Sequence, residues 1–142
     1  KYIGMGGRLD TIQAAILLAK LPHYEKELEA RRQVAQNYTT ILVDSLQTPV
    51  IKSNRSSTWA QYTVRVRNRD GIQAKLKNSG IPTAVHYPVP VHLQTCFQYL
   101  NYNQGDLPIS EQASEEVMSL PMNAYLKSAD VNRISKTIDE LL

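Results

Sequence analysis

Two short stretches of this 142-residue chain carry side chains suited to binding anions and hydroxyl-rich molecules. The first is Gly4-Met5-Gly6-Gly7-Arg8, followed at once by an apolar helical pattern. Glycines ahead of a helix let the backbone approach an anion, and the helix N-terminus offers free N–H groups at the positive end of its dipole. Arg8 adds a permanent cation whose forked donors match phosphate or carboxylate. The spacing is not a Walker loop, since no Gly-Lys-Ser/Thr follows, nor a dinucleotide fingerprint, since no strand precedes it. Phosphate binding is one reading; a flexible entry loop with Arg8 capping something local is the other. The second stretch is Val85-His86-Tyr87-Pro88-Val89-Pro90-Val91-His92-Leu93-Gln94. Imidazole and phenol groups can donate to sugar hydroxyls, carboxylates or phosphates. Pro88 and Pro90 keep the segment extended and stiff. Packing of Tyr87 and His92 at a domain surface accounts for the same residues without a ligand.

These groups need a scaffold, and the apolar spacing supplies one. Leu9, Ile12 and Ile16 predict a helix starting near residues 8–10, and Leu17, Leu18 and Leu21 carry its apolar surface round most of the circumference. Such a helix is either central to a core or packed between domains or subunits. Pro22 kinks or ends it. A second amphipathic helix over 23–46 places Tyr24, Leu28, Arg31, Val34 or Ala35, Tyr38 and Leu42 on one side, with a solvated charged face opposite. Tyr62, Val64 and Val66 alternate with Thr63, Arg65 and Arg67, the period of a strand with one buried face. Asp70 caps a helix over 71–78, Gly80 follows its end, and 81–85 forms a second strand. Residues 92–100 are expected to be helical, 101–106 a loop, 110–118 a helix capped by Ser110, and 120–122 a short extended piece. Ser128 caps a last helix that faces Val131, Ile134, Ile138 and Leu141 inward. The fold class that follows is α/β, an α+β sandwich: a small sheet covered by helices and preceded by a long helical arm. Residues 1–47 make the loop and arm, and 48–142 the small α/β core.

Composition narrows the function classes. Hydrophobic residues are 42% and charged residues 20% of the chain, an ordinary globular balance. A net charge of +3 makes no case for a nucleic-acid or membrane partner. Cys96 is the only cysteine, so an internal disulfide and a multi-cysteine metal cluster are both excluded, and a reducing compartment fits. No apolar run reaches membrane-spanning length. The chain opens without a methionine, inside what reads as a loop, and is expected to continue upstream.

The run from Gly4 through Arg8-Leu9-Asp10-Thr11-Ile12-Gln13-Ala14-Ala15 to Leu21 resembles the G-x-N-x-R-L-D-x-I-Q-A-A-I-L-x-x-K-L signature of the DegT/DnrJ/EryC1/StrS aminotransferases. The His86 to Gln94 segment resembles that family's V-x-Y-P-x-P-x-H-x-Q motif, and smaller matches span nearly the whole chain. The resemblance implies the small C-terminal domain of a fold-type I enzyme dependent on pyridoxal phosphate. In such an enzyme an amino-acid donor, glutamate, aminates a keto-sugar nucleotide. The likeness is greatest to enzymes acting on 3-keto UDP-sugar uronic acids, which implies a cytoplasmic homodimer serving surface-polysaccharide synthesis, O-antigen and lipopolysaccharide included. In the family the glycine loop enters the neighbouring subunit's site, where its asparagine meets the cofactor phosphate. Gly6 stands at that asparagine's position, so only backbone N–H groups of Gly6 and Gly7 remain for the contact. Arg8, His86, Tyr87 and His92 become the substrate-contact candidates. The Schiff-base lysine and the acidic partner of the cofactor ring precede the glycine loop in the family, in a large domain. This chain by itself is therefore expected neither to hold the cofactor covalently nor to transfer an amino group.

Two other classes compete. Arg65, Arg67 and Arg69, with Lys75 and Lys77 nearby, form a basic stripe that an RNA-binding αβ module would use, although stacking aromatics are missing from it. The all-round apolar helix also suits a purely structural dimerisation domain.

Overall fold

The computed structural model describes residues 7–142. Helix α1 (Thr11–Lys20) starts behind Asp10, whose extended backbone marks the cap, and runs into a single tight turn at Leu21–His23. Pro22 fits there because a residue in a first turn has no helical acceptor for an N–H. Helix α2 (Tyr24–Leu42) follows and buries Val34, Ala35, Tyr38 and Leu42. Tyr24 remains exposed.

Alternation delivers strand β1 (Tyr62–Arg65), with Tyr62 and Val64 fully buried. It pairs antiparallel with β2 (Val117–Leu120), Tyr62 opposite Leu120 and Thr63 opposite Ser119. Single bridges widen this two-stranded sheet on both sides, Gln47 to Arg65 and Ala84 to Ser119. Helices α3 (Arg69–Asn78) and α5 (Ser128–Asp139) complete the core with Ile72, Leu76, Val131, Ile134 and Ile138, and α5 packs along α2. The class is mixed α/β, with a helical arm ahead of a small sheet covered by helices.

Several expectations need correction. Helix α1 is no core helix: none of its residues is buried, and Ile12 and Leu18 are 76% and 70% exposed. Its main contacts are with the turn that follows it, so its apolar surface stands clear of the sheet. No second strand forms over 81–85; only Ala84 joins the sheet, because Pro82 has no N–H to extend a ladder. Residues 92–100 are two short 3₁₀ turns, Val91–Leu93 and Thr95–Leu100, broken by extended Gln94. Helix α4 (Pro108–Glu116) begins before Ser110, with Pro108 in its first turn, and stops where pairing with β1 draws Val117 to Leu120 into the sheet. Burial of Met118 and Leu120 there outweighs local helical preference. The caps of α3 and α5 are Asn68 and Lys127. Asp70 and Ser128 lie inside the first turns, where the Asp70 carboxylate still faces the positive end of the dipole.

Candidate functional site

The Ala84–Ser119 bridge carries the chain over β2 and sets His86 beside it. His86 Nδ1 lies 3.1 Å from Ser119 Oγ, and Ser119 Oγ lies 2.9 Å from Thr63 Oγ1. The three groups form a chain across the outer side of the sheet, since Thr63 and Ser119 are direct cross-strand partners. His86 and Ser119 border an open cavity of about 310 Å³ whose wall also includes Gln61, Thr83 and Met122. Tyr87 is 69% exposed and meets the His86 ring edge-on, with centroids 5.7 Å apart. An imidazole on a cavity wall, with an exposed phenol beside it, can hold hydroxyl, carboxylate or phosphate oxygens.

His92, from the same segment, is placed differently. It is 7% exposed, and its Nε2 lies 3.1 Å from Glu111 Oε1 on α4. Glu111 also accepts the N–H groups of Gly105 and Leu107, at 2.9 and 3.2 Å. His92 and Glu111 thus brace the 101–107 loop against α4. The Gly105 N–H, and after it the His92 ring and the Leu107 N–H, hold the Glu111 carboxyl below its ordinary range. A carboxyl lowered in the folded state stabilises the fold fully above its unfolded-state value of 4.5, and loses that effect as pH falls through the folded value. Glu111→Gln should lower the urea midpoint at about pH 7, and the difference from the parent protein should shrink as the pH falls through the lowered folded-state value. Identical midpoints at neutral pH would contradict the brace.

Of the opening loop, Gly6 lies outside the described residues. Gly7 is exposed, with nothing within 4 Å of where a Cβ would sit, and Arg8 is exposed as well. The cavity lined by His86 includes no residue of the arm. Instead α1 and the start of α2 border an apolar groove of about 630 Å³ lined by Leu9, Leu17, Leu18, Leu21, Tyr24 and Leu28. Among the described residues, Gly7 and Arg8 of the first motif take no part in the wall of the cavity beside His86.

Two of the five cations of the basic stripe are engaged inside the fold. Arg65 makes two hydrogen bonds to Glu116 Oε2, at 3.0 and 2.6 Å. Arg69 is buried and donates to the Ser114 and Val117 carbonyls. Arg67, Lys75 and Lys77 remain exposed, without the stacking aromatics of a single-strand-binding surface.

The sequence profile of the DegT/DnrJ/EryC1/StrS aminotransferase family matches residues 1–139. The chain belongs to this family. It is 45% identical over 133 residues to the UDP-2-acetamido-2-deoxy-3-oxo-D-glucuronate aminotransferase of Pseudomonas aeruginosa, covering 93% of this chain and 36% of that protein. A DegT/DnrJ/EryC1/StrS aminotransferase structure from Brucella abortus superposes with a TM-score of 0.87 at 42% identity, over 98% of this chain and 37% of the other. DesV of S. venezuelae gives a TM-score of 0.89 at 32% identity, over 97% and 38%. The chain thus spans little more than a third of these family members.

Pyridoxal phosphate chemistry requires a lysine for the Schiff base and an acid beside the ring nitrogen. Every lysine among the described residues is exposed, and the cavity beside His86 is lined by neither lysine nor carboxylate. These residues do not make up a pyridoxal phosphate site. The functional partners that sequence reading missed are Ser119, Thr63 and Glu111. The strand alternation already turned Thr63 away from the core, but the strand holding Ser119 reads locally as the end of a helix.

Proposed function

We propose that this chain is the substrate-side wall of a sugar-nucleotide aminotransferase dependent on pyridoxal phosphate. The enzyme moves an amino group from an amino acid, glutamate, to a 3-keto UDP-sugar uronic acid for surface polysaccharide in the cytoplasm. The observation that carries this reading is His86, exposed on a cavity wall with the exposed Tyr87 ring against it, in a chain 45% identical to an aminotransferase of a 3-oxo-glucuronate nucleotide. His86 and Tyr87 take the substrate's oxygens directly. Arg8 acts from the arm of a second copy, with the Gly6 and Gly7 backbone toward the cofactor phosphate. The exposed apolar face of α1 supports such a homodimer. His92 serves the site by holding the loop beside it, a more indirect role than substrate contact. The cofactor supplies the electron sink, and its lysine belongs to a large domain.

Titration of the chain with UDP-glucuronic acid, followed by NMR, tests this reading. Millimolar ligand should shift the His86 and Tyr87 ring signals, and His86→Ala should weaken binding by about tenfold, the equivalent of one charge-assisted hydrogen bond. Shifts confined to other faces would sink the assignment. Pyridoxal phosphate followed by borohydride should label no single lysine stoichiometrically; a single stoichiometric adduct would place the reactive lysine in this chain.

A further inference from the structure

His86, Ser119 and Thr63 form a chain of three polar groups in which the direction of the hydrogen bonds decides what His86 can do. Ser119 is 5% exposed, and its hydroxyl has two recorded neighbours, Thr63 Oγ1 and His86 Nδ1. Thr63 Oγ1 has one recorded neighbour among the described residues, Ser119 Oγ. A hydroxyl carries one proton, so the chain can run in only two directions. If His86 Nδ1–H donates to Ser119, the Ser119 proton goes to Thr63, and the half-buried Thr63 proton has no protein acceptor. If Thr63 donates to Ser119, the Ser119 proton goes to His86 Nδ1, and the one donor left without a protein partner among the described residues is Nε2–H, on a ring exposed to water. A donor without a protein acceptor costs more on a half-buried hydroxyl than on an exposed ring, where water takes the bond. The second direction is the favoured one. It makes Nδ1 an acceptor and puts the ring proton on Nε2, for which no protein partner is recorded among the described residues.

We propose that Thr63 and Ser119 are positioning residues that fix His86 as its Nε2–H tautomer, so that the ring offers a donor to an acceptor oxygen of the bound ligand. Carboxylate, keto and phosphate oxygens all accept such a bond, whereas a ligand N–H or ammonium does not. The preference for an oxygen-bearing ligand rests on the proposed function; the tautomer rests on the geometry of the three side chains alone. Ser119 can perform this task without disturbing the sheet. Its backbone N–H and carbonyl remain bonded to Ala84, at 2.8 and 3.1 Å, whatever its side chain.

Labelling the histidine ring nitrogens with ¹⁵N and correlating them with the ring carbon protons reads the tautomer directly, at a pH where the ring is neutral. In the parent chain His86 should show one nitrogen at the acceptor position, Nδ1, and one at the protonated position, Nε2. Ser119→Ala should draw the two nitrogen shifts toward each other as the ring samples both tautomers and more than one side-chain rotamer. Thr63→Val, nearly isosteric, should move them in the same direction by less, because Ser119 still has its own proton. Thr63→Val also serves if Ser119→Ala lowers the yield of folded protein. A protonated Nδ1 in the parent chain, or shifts unchanged in both variants, would overturn the proposal. UDP-glucuronic acid added afterwards separates the two readings. Tautomer shifts as expected, with no ligand response, support the positioning role and count against the proposed substrate alone.

Discussion

Tyr38→Ala should lower the free energy of unfolding by about 3–5 kcal/mol, the range for truncating a buried aromatic side chain. Tyr38 is completely buried and stacks on Tyr62 with ring centroids 5.0 Å apart. Its hydroxyl donates to the Pro121 carbonyl at 3.0 Å, which ties α2 to the chain just after β2. Burial, with Tyr62 and Asp130 adding repulsion, pushes the phenol well above its ordinary range, so it stays a donor wherever the protein folds. Alanine would lose the ring contacts and leave both a cavity and an unpaired carbonyl. Against a total of about 5–15 kcal/mol for a small domain, this is a large part of the reserve. Tyr38→Phe keeps the ring and should cost only about 1 kcal/mol. Urea unfolding of the two variants separates the contributions, and an alanine variant within 1 kcal/mol of the parent would mean that the α2–sheet contact is not where stability resides.

Arg69→Ala should cost about 2–4 kcal/mol, from two charge-assisted hydrogen bonds. Its Nη1 donates to Ser114 and Val117 carbonyls at 3.3 and 3.0 Å, where α4 gives way to β2. Carbonyls at a helix end have no helical donor, and here a buried guanidinium supplies one. Losing it should loosen the junction and speed hydrogen exchange at the Ser119 amide as well as shifting the urea midpoint. Arg69→Lys keeps the charge without the fork and should fall between the two. Exchange at Ser119 unchanged in the alanine variant would show that the junction is held by other contacts.

Tyr38 shows where sequence reading works, and Arg69 where it stops. Helix α2 was legible because Val34, Tyr38 and Leu42 repeat at helical spacing over a long window, and β1 because Tyr62, Val64 and Val66 alternate. The site was legible in part. His86 and Tyr87 stood out as polar rings on a proline-stiffened segment, and the family motifs are contiguous. The strand β2 was legible only at its end: 120–122 read as extended, whereas Val117 to Ser119 follow directly on a helix with no turn residue to announce the change. Arg69 reads as a surface cation until its carbonyl acceptors, 45 and 48 residues away, come within reach.

Local chemistry therefore determined the long helix α2, the strand β1 and the last helix α5, which of their faces are apolar, and which motif residues are candidates for a ligand. Those properties depend on neighbours within one or two turns, and the sequence holds them all. The tertiary structure alone decided how those candidates are used. It joined Thr63 to Ser119 across 56 residues and turned His86 outward on that support. It sent His92 inward to Glu111 and left the apolar surface of α1 exposed. Contacts of that kind arise only when packing brings distant backbone together, and no periodicity in the chain encodes which polar groups then find themselves within 3 Å of one another.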